Sequence, residues 1–286
     1  MHSTFVFLTL AIVLLWRTDQ VTVSTVKYAW LMAFVVAIVL GIDGGELEAA
    51  SLLSVLLFAA VCYSFTRLTG ILKLVAGIGI ILFSLALGLH ILPGFNNPQI
   101  VAHVHLGTDS RPYNLYFNFD KALIGLFILY WLHPLHTDVR EFVVMLKKIW
   151  PASIVTIVAV IVLSYLVGYI RFDPKVPGFI GYWLWANLFF TCIAEEALFR
   201  GFLQRQLAFM LSGQKHGAIL ALAVCAILFG LAHAGGGAQY VFLATVAGLG
   251  YGWVYHRTQR IELSILLHFA LNSIHIFLFS YPALLQ

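Results

Sequence analysis

The sequence predicts an all-α, polytopic transmembrane helix bundle with about ten spans. Hydrophobic residues make up 62% of the 286 residues and charged residues only 10%, whereas a soluble domain carries about 25% charged residues. Apolar runs close to the roughly 20 residues that a spanning helix needs recur along the chain. One of these runs contains two adjacent acids, and carboxylates at membrane depth usually mark a functional site.

Ten apolar segments are predicted to be helices, most of them separated by short polar stretches and two followed by longer connections, 93–121 and 136–150. The first resembles a signal peptide in length, but it lacks a basic start and a small-residue cleavage site, so we expect an uncleaved helix. Cys62, Cys192 and Cys225 all lie inside apolar segments, which predicts buried thiols rather than disulfides. The predicted segments are 5–16, 26–42, 49–65, 71–92, 122–135, 152–170, 180–203, 216–234, 239–256 and 262–280.

The basic residues are distributed as in membrane proteins that set their orientation by charge. The net charge is +4, and with the amino terminus outside, twelve of the 16 lysines and arginines fall in inside connections, as the positive-inside rule requires. The excess of basic residues therefore indicates membrane topology. We predict that the lipid bilayer is a partner and that the protein binds no nucleic acid. We expect a multi-pass protein of the plasma membrane. The four outside residues are Arg111, Lys121, Arg171 and Lys175.

A change of pattern near residue 150 predicts two regions. Residues 136–150 alternate polar and apolar side chains at helical spacing, with Lys147 and Lys148 on the polar side. This pattern predicts an amphipathic helix that lies in the plane of the membrane. We therefore divide the chain into N-terminal accessory transmembrane helices, 1–150, and a C-terminal core, 151–286.

Glu195 and Glu196 interrupt an apolar helix that is predicted over 182–210. Glu196 and Arg200 are four residues apart and share a helix face, so the guanidinium can neutralise that carboxylate. Glu195 points about 100° away and has no cation within one turn of its own helix. A carboxylate in this setting suits a general base that acts on water. The alternative is a buried ion pair that only fixes helix packing.

His233 ends the sequence Phe-Gly-Leu-Ala-His, which begins at Phe229 and precedes three glycines. A histidine at a helix end is commonly structural, but the position of this one favours chemistry. If the chain turns near Gly213, the number of residues from Glu195 to the turn is nearly the same as the number from the turn to His233. Because an α-helix rises by about 1.5 Å per residue, the two side chains then lie at nearly the same depth. They could then hold one water molecule.

His268 and Asn272 lie four residues apart on one stripe of an otherwise apolar helix, and His275 follows about one turn later. Polar side chains in such positions commonly form hydrogen bonds between helices. Imidazole and amide groups can also donate to the oxyanion that forms when water attacks an amide carbonyl. We favour the oxyanion function for His268 and Asn272, whereas His275 suits packing equally well.

The remaining histidines predict no metal centre. His103 and His105, and likewise His133 and His136, are spaced loosely like metal ligands, but no nearby acid completes a recognisable zinc set. The sequence also lacks the zinc-protease pattern His-Glu-x-x-His and the serine-hydrolase pattern Gly-x-Ser-x-Gly. We therefore expect no metal and no cofactor, with zinc as a minor alternative.

The three polar motifs together resemble those of the CAAX-prenyl-protease and bacteriocin-processing (CPBP, Abi) family of intramembrane glutamic endopeptidases. That family has Glu-Glu-x-x-x-Arg, Phe-x-x-x-His and His-x-x-x-Asn on successive membrane helices. This chain has the three motifs in the same order, at 195–200, 229–233 and 268–272. The resemblance covers roughly residues 150–286.

The resemblance implies a membrane-embedded protease that hydrolyses a peptide bond of a membrane-associated protein or peptide. In that family's mechanism a glutamate activates water with the help of a histidine, while a second histidine and an asparagine stabilise the oxyanion. It also implies a water-filled catalytic cavity within the C-terminal helices. The implied catalytic residues are Glu195, His233, His268 and Asn272, and the residues that order the site or contact substrate are Glu196 and Arg200.

Two other classes of function account for the same residues. An ion-coupled transporter could use Glu195, Glu196 and Arg200 as an ion path, but such proteins have inverted repeats and broken helices, and the sequence shows neither. A non-catalytic membrane scaffold or immunity protein could keep the motifs for folding alone. Full biological activity of a Glu195→Gln variant would support the scaffold.

Overall fold

Most of the chain is helical, as the predicted class requires. The computed structural model describes residues 3–16, 28–135 and 138–285, and within them ten helices match the ten predicted segments. The helices are α1 (Ser3–Leu15), α2 (Ala29–Asp43), α3 (Ala49–Arg67), α4 (Gly70–Gly88), α5 (Phe119–Leu132), α6 (Val139–Leu166), α7 (180–210, in five consecutive segments), α8 (Gly217–Leu231), α9 (Ala238–Thr258) and α10 (Ile261–Leu278). The start of the second predicted segment, at residue 26, lies outside the described residues.

Four helices, α3, α4, α6 and α10, are long and apolar enough to cross a membrane. Three further apolar helices, α1, α2 and α8, are shorter, with 13 to 15 residues each. These helices make the chain an integral membrane protein. The predicted number of ten spans stays a prediction, because length and composition support four among the described residues.

Residues 139–166 form one continuous helix, so the segment predicted to lie in the membrane plane is not a separate element. Asp138 caps this helix, its Oδ1 accepting from the backbone N–H of Arg140 at 2.8 Å and of Glu141 at 3.2 Å. The helix continues through Pro151, since prolines are tolerated in transmembrane helices where neighbouring groups satisfy the freed backbone. Residues 136 and 137 of the predicted segment lie outside the described part of the chain.

The chain forms two compact units, and the first combines the amino-terminal helices with part of α7. Its core is aromatic: the ring of Phe5 lies 5.1 Å from that of Phe117 and 5.5 Å from that of Phe190. Such tilted aromatic pairs add to the free energy gained from apolar burial. The unit comprises Met1–Gln99, Tyr116–Thr137 and Phe189–Gly201.

The second unit contains α6, α8, α9 and α10 and most of the two short strands. Gly230 of α8 faces Thr245 of α9, and Gly250 of α9 faces Thr156 of α6, in both cases so closely that a Cβ would collide with the threonine. Small residues at such crossings let membrane helices pack backbone to backbone. The unit comprises Ile100–Leu115, Asp138–Leu188 and Phe202–Gln286.

The connection between α4 and α5 contains a two-stranded sheet that the sequence did not predict. Its strands are β1 (Gln99–Val104) and β2 (Tyr113–Tyr116). The amide of Asn114 also supports the pairing, because its Oδ1 accepts from the backbone N–H of His103 at 2.8 Å. The all-α class thus holds for most of the chain, with this small addition.

The three cysteines are buried thiols, as predicted. Cys62, Cys192 and Cys225 are at most 1% exposed, and none forms a disulfide. Each therefore acts as a small apolar side chain that fills space between helices.

Candidate active site

Both motif acids lie on α7, in a short α-helical segment between two π-helical segments. Insertions of π-helix into α-helices are frequent at functional sites. The uniform helical rise on which the depth comparison of Glu195 and His233 depends therefore does not apply along this helix. The five segments of α7 are Ile180–Ala186 (α), Asn187–Cys192 (π), Ile193–Glu196 (α), Ala197–Gln204 (π) and Arg205–Met210 (α).

Glu196 and Arg200 form the ion pair that their spacing predicts. Nη1 of Arg200 donates to Oε1 of Glu196 at 2.9 Å, and neither side chain is exposed to solvent. The Arg200 guanidinium also lies 5.9 Å from the centre of the Phe199 ring. A charge pair in such a position is costly to disrupt, because the remaining partner would be a buried single charge.

Glu195 has a cation partner, but it comes from another helix. Nζ of Lys121, in the first turn of α5, donates to Oε1 of Glu195 at 2.7 Å, with the two side chains 18% and 14% exposed. The sequence predicted Lys121 in an outside connection, and Glu195 without a cation within one turn of its own helix. The pairing was missed because 74 residues separate the partners and helical spacing carries no information on contacts at that range.

His233 lies just beyond the end of α8, where a backbone hydrogen bond fixes its ring. Nδ1 is 2.7 Å from the carbonyl oxygen of Phe229. Since a carbonyl oxygen only accepts, Nδ1 carries the proton and Nε2 is the basic nitrogen of the neutral imidazole. The ring also contacts Phe229 at 4.7 Å and, edge to face, Tyr240 at 5.1 Å between centroids.

The glycines that follow His233 have different structural requirements. A Cβ at Gly236 would collide with the ring of Tyr240, which contacts His233. Gly237, directly before α9, has φ +89°, a backbone conformation that residues with a side chain rarely adopt. Gly235 has open space around its Cα. The close packing of Tyr240 on His233 therefore depends on Gly236.

His268 and Asn272 lie on α10, as predicted, and the packing of each is well defined. The His268 ring, 4% exposed, stacks on Tyr251 of α9 with a centroid distance of 4.7 Å and an interplanar angle of 17°. It also meets the edge of Phe229 at 5.8 Å. Nδ2 of Asn272 donates to Oδ1 of Asn187 at 3.3 Å. Tyr251 and Asn187 were not singled out in the sequence, because no motif contains them.

A cavity in the second unit contains three of the predicted site residues. It offers about 70 Å³ of space for the centres of water molecules, and a single water needs roughly 10–15 Å³ by that measure. Several water molecules can therefore enter. The polar lining includes His233, His268, Asn272 and His275, and aromatic rings, among them Tyr251, form part of the wall.

The predicted site residues divide between the two units. Glu195, Glu196 and Arg200 belong to the first unit together with Lys121, whereas His233, His268 and Asn272 belong to the second. Each group is internally connected, the first by ion pairs and the second by one cavity. The roles predicted for these residues stay predictions.

The structure describes three of the four weaker histidine candidates, His103, His105 and His133. No group of three or more His, Cys, Asp and Glu side chains suited to a metal ion occurs in the part of the chain that the structure describes. His103 is exposed on β1, and Nδ1 of His105 donates to the carbonyl oxygen of Ser110 at 2.7 Å. His133 is buried at the end of α5, and His136 lies outside the described residues. The metal-free site stays a prediction.

Comparison with known protein families identifies the segment that carries the three motifs. Residues 177–274 match the Rce1-like family, described as type II CAAX prenyl endopeptidase Rce1-like. No curated protein and no solved structure matches the chain. The match covers about a third of the 286 residues and includes all three motifs. It confirms the resemblance that the motifs indicate, and the family implies a protease.

Proposed function

We propose that this protein is a membrane-embedded endopeptidase that hydrolyses a peptide bond of a membrane-associated protein or peptide by means of glutamate-activated water. The observation that carries the proposal is the cavity lined by His233, His268 and Asn272, since three polar side chains from two of the motifs surround space large enough for water. Their motifs lie within the segment that matches a family of endopeptidases.

The proposed steps use groups whose chemistry fits the reaction. Glu195 would accept a proton from water as the oxygen attacks the carbonyl carbon of the substrate, and Nε2 of His233 would accept a hydrogen bond from the same water. His268 and Asn272 would donate to the oxyanion. The tetrahedral intermediate would then collapse with cleavage of the C–N bond, and Glu195 would give the proton it took from water to the leaving amine nitrogen. Glu196 and Arg200 would keep this part of α7 ordered. The mechanism requires Glu195 and His233 to reach one water molecule, and it requires no metal.

The description of the matched family suggests the first substrate to try. The description names a CAAX prenyl endopeptidase, and a CAAX terminus consists of a prenylated cysteine, two aliphatic residues and a final residue. A farnesylated peptide of this form is therefore the first candidate. An otherwise identical peptide without the farnesyl group tests whether the lipid is needed. We also propose that this chain is a multi-pass protein of the plasma membrane.

The experiment uses the full chain in lipid vesicles and in cells. Fluorogenic versions of both peptides report cleavage in vitro, and mass spectrometry of the carboxyl termini of membrane proteins reports it in cells that contain either the wild type or Glu195→Gln. We expect processing with the wild type and none with the variant. Glu48→Gln is the matched control, because Glu48 is an exposed acid outside the proposed site. Identical processing by wild type and Glu195→Gln would contradict the proposal and favour a non-catalytic scaffold.

A further inference from the structure

The ion pair between Lys121 and Glu195 connects the amino-terminal helices with the proposed base. We propose that Lys121 is a positioning residue that keeps Glu195 ionised and oriented, so that α5 is part of the active site. The inference rests on the proposed role of Glu195. It assigns a function to the N-terminal region, 1–150, which contains none of the three motifs.

The ion pair between Lys121 and Glu195 is largely shielded from solvent. Both side chains are more than four-fifths shielded, and Nζ lies 2.7 Å from Oε1. Removal from water disfavours the charged form of a carboxylate, whereas a cation at hydrogen-bond distance favours it. A base must be deprotonated to accept a proton from water. A carboxylate has about four acceptor positions on two oxygens, so an ion pair at Oε1 is compatible with a water molecule at the same group.

A network of side chains holds the first turn of α5 in place. Asp120, only 1% exposed, lies 2.8 Å from Nδ1 of His90. Its other oxygen, Oδ1, accepts from Nδ2 of Asn97 at 2.9 Å and from the backbone N–H of Lys121 at 2.8 Å. Oδ1 of Asn97 in turn accepts from the backbone N–H of Phe119 at 2.8 Å. The backbone on both sides of Asp120 is therefore fixed, which restricts the direction of the Lys121 side chain.

A close contact between helices α5 and α7 places the backbone next to Glu195 against α5. A Cβ at Gly125 would lie 2.9 Å from Cγ2 of Ile193 and 3.4 Å from the backbone nitrogen of Ala194. The helix α5 thus passes against the backbone of α7 directly before Glu195, and it can do so because residue 125 has no side chain. Lys121 is four residues earlier and shares the face of Gly125. The ion pair is a consequence of this contact rather than a chance meeting of two long side chains.

The existence of the pair is tested without a substrate. Unfolding temperatures are measured for the full chain in detergent with Lys121→Met, Glu195→Gln and both changes together. We expect Lys121→Met to lower the unfolding temperature by roughly 5 °C or more, because it leaves a shielded carboxylate without its cation. In the Glu195→Gln background the same change should cost less than half of that. Equal losses in both backgrounds would overturn the inference whatever the activity.

The function of Lys121 is tested by the pH dependence of cleavage of the farnesylated peptide. We expect Lys121→Met to move the acidic limb of the pH–rate profile to higher pH, because a cation at hydrogen-bond distance favours the charged form of a carboxylate and the variant lacks it. Lys121→Arg should leave the limb near its wild-type position. Lys73→Met, at an exposed lysine of α4, should not change the profile. The profile of His90→Ala shows how far the imidazole beside Asp120 contributes to the position of the acidic limb.

The outcomes distinguish the two proposals. If Lys121→Met shows the wild-type profile while Glu195→Gln does not cleave, the inference about Lys121 is wrong and the proposed base stands. If Glu195→Gln cleaves at the wild-type rate, the base is wrong. A merely structural role of Lys121 would lower the unfolding temperature and the rate at every pH, without moving the acidic limb.

Discussion

Nη1 of Arg200 lies 2.9 Å from Oε1 of Glu196, and both side chains are completely shielded from solvent. Because the partners lie one helical turn apart, the pair needs no other element to form. It neutralises the second motif acid locally, whereas the first obtains its cation from α5. The two adjacent glutamates therefore have separate counter-ions and are not interchangeable.

Arg200→Gln should destabilise the protein strongly. The change leaves the Glu196 carboxylate buried without its cation, which costs roughly 3–5 kcal/mol in comparable buried pairs. Combining it with Glu196→Gln should recover much of the loss. Unfolding in detergent measures both effects. Arg171→Gln is the control, because its pair with Asp109 is 64% and 57% exposed and exposed pairs contribute little. A small effect of Arg200→Gln would show that the site tolerates an unpaired carboxylate.

His233→Ala should reduce the rate of cleavage by a factor of about 10² or more, because that is the usual contribution of a group that takes part in proton transfer. The unfolding temperature should stay close to that of the wild type. The imidazole is held by a hydrogen bond to a local carbonyl, so its removal disturbs little of the surrounding backbone. Rates and unfolding temperatures are measured on the same samples. His216→Ala, at an exposed histidine before α8, should behave like the wild type. A large loss of stability with an unchanged rate would indicate a structural histidine.

Gly236→Ala should lower the cleavage rate by about tenfold or more, because the new methyl group pushes Tyr240 away from the His233 ring and misplaced catalytic groups lose rate steeply. The neighbouring Gly235→Ala meets open space and provides a matched control. Both variants are assayed with the same peptide. Equal rates for the two variants would show that the Tyr240 contact does not position His233.

Gly125→Ala should destabilise the first unit by about 1–3 kcal/mol, the usual cost of overpacking, although alanine is the better helix former. The added Cβ meets Ile193 and the backbone of Ala194. Gly79→Ala, whose Cβ makes only an ordinary contact with Val61, should be neutral or stabilising. Thermal unfolding of the two variants gives the comparison, and equal stability would mean that α5 and α7 can separate without cost.

Cleavage should persist after treatment with EDTA or 1,10-phenanthroline, because the proposed mechanism derives base and donors from side chains alone. The rate is measured before treatment, after treatment and after addition of zinc. If treatment abolishes cleavage and zinc restores it, a metal ion activates the water and the proposed role of Glu195 is wrong.

Local patterns in the sequence were sufficient for much of the fold. The apolar segments predicted the ten described helices, since hydrophobic length and turn residues are properties of neighbouring positions. The Glu196–Arg200 pair follows from helical spacing in the same way. The motif at 268–272 predicted a polar stripe on α10, and the structure brings that stripe to the cavity that contains His233.

Features that depend on tertiary packing could not be predicted. The sequence places Lys121 in a loop, because nothing at its position indicates a contact 74 residues away. The apolar pattern over 182–210 predicts one regular helix, whereas the structure has π-helical segments on both sides of Glu195 and Glu196. The pattern predicts separate helices before and after Pro151, whereas the structure has one continuous helix that Asp138 caps. These differences arise because neighbouring helices decide the geometry.

The rate of the Glu195→Gln/His233→Ala double variant, compared with the two single variants on the same peptide, tests the central claim most directly. If the two side chains act on one water molecule, the double variant should be about as slow as the slower single variant, because residues that act as a unit are not additive. Rate losses that multiply, or a Glu195→Gln enzyme that cleaves at the wild-type rate, would contradict the account.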